Sequence, residues 1–100
     1  MPSQNLIIYN IVMQDLILEL KEKLIEQLNL KHLTPEQIED DAMLFGAGLG
    51  LDSIDALEII VLLDNDYGIK FKDQDEAREV FSSVRSIAEY ISKTRMNVPS

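Results

Sequence analysis

One hundred residues, 46% of them hydrophobic, are enough for one packed core that buries about two thirds of the unfolded surface, and they leave no room for a second core. A formal charge of −9 sets the chain against nucleic acid and anionic membranes, which repel it, and makes basic proteins the natural partners. With no cysteine, the sequence offers neither a disulfide nor a thiolate metal site, and redox chemistry is set aside.

The chain opens without the positive charge of a secretory signal, and its apolar run over residues 6–13 is broken by Tyr9 and Asn10. The longest uninterrupted apolar stretch, residues 59–63, is far too short to span a bilayer. These features predict a soluble, cytoplasmic monomer with no membrane insertion. Residues 1–12 carry no charge and only weak periodicity, so a loose N-terminal extension is expected there, and Met13 is a candidate for the natural first residue.

Regular patterning begins at Met13. Met13, Leu16, Ile17, Leu20, Leu24 and Leu28 follow the i, i+3, i+4, i+7 spacing of a helix with one buried face, predicting a first long helix over residues 13–29. A long connection follows to residue 52, and such a segment usually carries short structure or function. Thr34-Pro35-Glu36-Gln37 reads as one helical turn with Thr34 as N-cap and Gln37 closing a capping box. Leu30, Leu33, Ile38, Met43, Leu44, Phe45, Leu49 and Leu51 are expected to pin the connection to the core, while Gly46, Gly48 and Gly50 permit sharp turns.

A second helix is predicted over residues 53–67, ended by Gly68 in the left-handed conformation. At about 100° per residue, Ala56, Ile59, Ile60, Leu63 and Tyr67 share the core side. Asp55, Glu58, Leu62, Asn65 and Asp66 fall opposite, flanked by Ile54 and Val61, which describes an acidic docking face with apolar residues set into it. A short third helix is expected within residues 75–81. Ser82 or Ser83 then caps a last helix with Val84, Ile87, Ala88 and Ile91 as its core stripe, followed by a loose tail. With no persuasive strand, the fold class is all-α: a small four-helix bundle of three longer helices and one short helix, with the domain at residues 13–95 between an extension at 1–12 and a tail at 96–100.

From residue 34 to residue 69 there is no Lys or Arg, yet nine of the eighteen acids lie there, so Ser53 stands at a helix entrance on a negative surface. Catalysis by this serine lacks support. The single histidine, His32, lies well upstream, and no glycine stands two positions from Ser53 on either side as a nucleophile elbow requires. The glycines at 46, 48 and 50 lack the lysine of a phosphate loop, and Asp64, Asp66 and Gly68 do not match a calcium loop, so neither nucleotide nor metal is expected. Asp52 is a natural helix cap, and a helix N-terminus favours an anion such as phosphate.

Asp52-Ser53-Ile54-Asp55, continued by Leu57, Glu58 and the apolar run, resembles the Asp-Ser-Leu-Asp attachment motif of the acyl carrier proteins, and the similarity extends from about Met13 to Lys93. The resemblance implies a non-enzymatic carrier. Ser53 would be esterified with 4′-phosphopantetheine by a phosphopantetheinyl transferase, and the arm's thiol would hold acyl groups as thioesters for enzymes of fatty acid or related lipid biosynthesis. It further implies that Asp52, Asp55, Glu58 and Asp64, with Ile54, Val61 and Leu62, meet basic patches on the transferase and on synthase enzymes, and that the interior between the helices shelters the acyl chain. Ile54 departs from the family's usual leucine, Asn65 stands where an acid is common, and residues 72–84 run one residue long. Polyketide, aminoacyl or specialised lipid cargo is the alternative within the class; an unmodified acidic adaptor for basic proteins is the alternative outside it.

Overall fold

A computed structural model describes residues 2–96, with side chains over 8–94. Among these residues the chain is all-α, with the order α1 (Pro2–Gln27), a 3-10 turn (Pro35–Gln37), α2 (Ser53–Tyr67), α3 (Gln74–Val80) and α4 (Val84–Met96). Of the loose tail expected over residues 96–100, Met96 ends α4 and residues 97–100 lie outside the described residues.

Helix α1 begins at Pro2 rather than near Met13. Residues 3–12 contain neither glycine nor proline, and Pro2 sits at the start of the helix, where its missing N–H costs nothing. The backbone ladder therefore continues upstream of the residues that meet a partner. Twenty-six helical residues span about 39 Å, in line with the molecule's longest dimension of 42 Å. Ile8, Tyr9, Ile11 and Val12 are exposed, which explains why the apolar periodicity is weak before Met13: these positions face no core.

Burial starts at Met13 and follows the predicted stripe through Leu16, Ile17, Leu20 and Leu24, with Leu28 half-buried. Helix α1 packs on α4 and α2, and α3 joins α2 to α4. Val84, Ile87, Ala88 and Ile91 are fully buried from α4, which Ser83 caps by accepting from the Ser86 N–H at 3.1 Å. Phe71 fixes the segment after α2, its ring stacked on Tyr90 and set edge-on to Phe81, both at 5.4 Å between centroids.

Ile38, Leu44 and Leu51 anchor the long connection in the core, while Leu30, Leu33, Phe45 and Leu49 are partly buried against it. Met43 does not join them; it is 59% exposed, because the chain turns there to let Leu44 point inward. The Thr34 N–H donates to Gln37 Oε1 at 2.8 Å and holds the 3-10 turn. Polar ties complete the attachment: Leu44 N–H donates to the Ser82 carbonyl at 3.2 Å, and Arg85 Nε donates to Asp41 at 2.7 Å. The connection is thus fastened to α1, to the α3–α4 corner and to α4, and it delivers residue 52 in a defined place.

Candidate functional site: the entrance of helix α2

Phe45 and Leu51 form an isolated parallel bridge that closes the glycine-containing loop immediately before α2. Within it, Leu49 N–H donates to the Met43 carbonyl at 3.0 Å, and Leu51 N–H to the Leu44 carbonyl at 3.1 Å. Gly48 lies so close to this strap that a Cβ built on it would sit 1.7 Å from the Met43 carbonyl oxygen, so any side chain there forces the loop open. With the loop closed, Leu51 points into the core and Asp52 emerges at the surface.

Asp52 is extended and caps α2: its carboxylate accepts from the N–H groups of Ile54 at 3.0 Å and Asp55 at 3.1 Å. Asp55 reciprocates by accepting from the Asp52 N–H at 2.9 Å, which makes the capping box with two aspartates. At the other end Gly68 adopts φ 67°, as a left-handed cap does, and its N–H returns to Asp64 and Leu63. Both ends of α2 therefore follow from local side-chain chemistry.

Ser53 is the first residue of α2 and is exposed. Its Oγ accepts a hydrogen bond from Arg78 Nη2 of α3 at 2.9 Å, and its carbonyl accepts from Gln74 Nε2 at 3.5 Å. A guanidinium is a permanent donor and cannot remove a proton, so this partner does not make Ser53 a nucleophile of the hydrolase kind. The contact does leave the hydroxyl's own hydrogen uncommitted to Arg78. His32 is exposed in the loop after α1. Among the described residues no group of three or more His, Cys, Asp or Glu side chains could hold a metal ion.

Of the residues expected to face partners, Ile54 is 69% and Val61 48% exposed, and Asp52 and Glu58 are exposed as well. Asp55 is half-buried by its capping role. Glu58 accepts from Gln27 at 2.9 Å, and Asp64 binds Lys70 at 2.9 and 3.1 Å, so both carboxylates already hold polar neighbours on this face. Leu62 is a correction. It is only 5% exposed and packs in the core beside Ile59 and Leu63, whereas Ile60, placed on the core side by the periodicity, is half-buried. Helix α2 carries apolar residues on two sides, and the side that meets α1 and α3 runs through 59, 62 and 63.

Two surface residues complete the site that the sequence reading did not place on the docking face. Leu57 is 51% exposed and joins Ile54 and Val61 at i, i+3, i+7, one continuous apolar stripe whose spacing was available to reading. Arg78 had no such signal. Together with Met43, Phe45 and Ser82 it also lines a shallow groove of about 240 Å³ between the loop and the start of the α3–α4 corner.

The arrangement provides an accessible hydroxyl on a rigid helix start, with a cation at hydrogen-bond distance and no base engaged with it, which suits covalent attachment of a phosphate-linked group rather than turnover. Residues 18–91 match the model of the phosphopantetheine attachment site family. An acyl carrier protein of Wolinella succinogenes is 29% identical over 77 residues, covering 77% of this chain and 93% of its own length. Those of Chloroherpeton thalassium and Sulfurovum sp. are 41% and 32% identical over 56 and 62 residues, covering 56% and 62% of this chain and 66% and 76% of theirs. With its four helices, a matched segment that runs from within α1 into α4, and 4′-phosphopantetheine as its prosthetic group, this chain belongs to the acyl carrier protein family.

Proposed function

We propose that this protein is a non-catalytic carrier that holds acyl intermediates on an arm esterified to Ser53 and presents them in turn to the enzymes of fatty acid or a closely related lipid biosynthesis. The observation that carries this reading is the Ser53 hydroxyl itself: exposed, first in α2, clasped from behind by the Asp52–Asp55 capping box, and within the segment matched by the family model. When bound, 4′-phosphopantetheine supplies a terminal thiol on which an acyl unit rides as a thioester.

Attachment joins Ser53 Oγ to the arm's phosphorus, while the hydroxyl proton leaves and the bond from that phosphorus to the nucleotide half of coenzyme A breaks. Asp52 Oδ1 accepts from two backbone N–H groups, which keeps the carboxylate in its capping role, and the base comes from the phosphopantetheinyl transferase. Ile54, Leu57 and Val61 offer that enzyme an apolar stripe, and Asp52, Asp55, Glu58 and Asp64 offer its basic patch charge. Charge steers the encounter, and the small stripe limits residence, so the carrier leaves quickly for the next enzyme. Tethering raises the local concentration of cargo at each site.

The working unit spans residues 13–95, acting as a cytoplasmic monomer; core burial between Met13 and Ile91 supports these limits, and the absence of cysteine suits that compartment. Incubation with coenzyme A and a phosphopantetheinyl transferase tests the reading. Wild-type protein is expected to gain the mass of one arm and Ser53→Ala none; a wild-type chain that gains nothing is an adaptor or a structural domain instead.

A further inference from the structure

Arg78 is a cation in a place where the surrounding surface is acidic. Among the described residues it pairs with the Ser53 hydroxyl at 2.9 Å, while the ion pairs of this protein are made by Lys21, Lys23, Lys70 and Arg85. Its carrier helix is held rigidly: Asp73 caps α3 by accepting from the Glu76 N–H at 2.9 Å, and Ala77, next to Arg78, is fully buried. The guanidinium is thus presented to Ser53 from a fixed base.

A phosphodiester at Ser53 places a full negative charge on the two non-bridging oxygens next to Oγ. The nearest helical donors are already used, because the Asp52 carboxylate takes the N–H groups of Ile54 and Asp55. Asp52 and Asp55 themselves oppose an anion at this point. The countercharge within reach is Arg78, whose planar fork of N–H donors matches two phosphate oxygens where a lysine would offer a single point charge.

We infer that Arg78 is a positioning residue for the prosthetic arm: on attachment its guanidinium moves from the Ser53 hydroxyl to the non-bridging phosphate oxygens and restrains the first atoms of the arm against α3. This inference rests on Ser53 being the attachment point. Unmodified, the same side chain holds the serine hydroxyl in place at the helix entrance; modified, it fixes the angle at which the arm departs. Neither role is catalytic, since the bond is made by the transferase.

The test is nuclear magnetic resonance of the loaded protein, with intact mass measured first. Wild type, Arg78→Gln, Arg78→Lys and Lys72→Gln are each loaded from coenzyme A, and the phosphorus-31 resonance and the Arg78 Nε–H signal are recorded. Loading is expected to shift the Arg78 Nε–H signal. The phosphorus resonance is expected to move in Arg78→Gln, to move less in Arg78→Lys, and to stay in place in Lys72→Gln, which removes an equal charge from an exposed residue nearby in sequence. A phosphorus resonance identical in wild type and Arg78→Gln overturns the role of Arg78 while leaving the carrier intact. Failure of the wild-type chain to load overturns the carrier reading and this inference with it.

Discussion

Asp52 and Asp55 hold each other's backbone: the Asp52 carboxylate accepts from the Asp55 N–H at 3.1 Å, and the Asp55 carboxylate accepts from the Asp52 N–H at 2.9 Å. Two of the acids proposed to meet a partner's basic patch are therefore also the clamp that starts α2. Asp52→Ala removes the cap and is expected to cost about 0.5–2 kcal/mol of stability by chemical denaturation. Asp52→Asn keeps an acceptor in the same place, so it separates the two duties: near-normal stability, with slower loading by the transferase. Equal loading rates for wild type and Asp52→Asn would remove Asp52 from the docking surface.

Ser53→Ala is expected to leave the fold in place. The side chain is exposed and contributes one hydrogen bond, with Arg78, so the loss should stay under about 1.5 kcal/mol. Far-UV circular dichroism should be unchanged while loading vanishes. A collapse of helicity would make the serine structural.

Leu62 and Val61 adjoin each other yet should behave in opposite ways. Leu62 lies in the core, and Leu62→Ala is expected to cost about 2–5 kcal/mol of stability. Val61 is half-exposed beside Ile54 and Leu57, so Val61→Ala should change the denaturation midpoint little and slow loading instead. Denaturation and loading rates on the same two variants check both halves.

Gly48→Ala should destabilise the loop by at least about 1 kcal/mol, since the new Cβ collides with the backbone carbonyl of Met43, which cannot step aside as a flexible side chain would. Because that loop sets the entrance of α2, loading should fall with it. A variant as stable as wild type would show the strap between Met43 and Leu49 to be dispensable.

Lys23 donates to Asp66 at 2.8 Å, and this hydrogen bond, ahead of the charge attraction, raises the lysine above its ordinary value of 10.5. A group raised on folding contributes stability that is complete below its unfolded value and is lost as the pH climbs through the folded one. The difference in melting temperature between wild type and Lys23→Met should therefore be constant from about pH 7 to about pH 9 and narrow as the pH climbs past the lysine's ordinary value of 10.5. A gap that closes on acidification, within the neutral range, would contradict the assignment.

Much of this architecture is legible from local chemistry. The limits of α2 follow from Asp52 and Gly68, which terminate a helix whatever surrounds it, and the core stripes of α1 and α4 follow from helical spacing with one apolar side. The misplacement of Leu62 has the opposite origin. Helix α2 bears one apolar stripe through Ile54, Leu57 and Val61 and another through Ile59, Leu62 and Leu63, and only the packing of its neighbours decides which is covered. The upstream turns of α1 escape periodicity because Ile8 and Ile11 stay exposed and join no core among the described residues. The pairing of Arg78 with Ser53 joins residues 25 apart through the docking of α3, a relation that no local pattern encodes.

The central claim is that the Ser53 hydroxyl is where the prosthetic arm is anchored. The most direct measurement is peptide mapping by mass spectrometry of protein purified from its own host: the account predicts one phosphopantetheine, bare or acylated, on the peptide containing Ser53, and an unmodified Ser53 peptide with the arm on another residue, or on none, would contradict it.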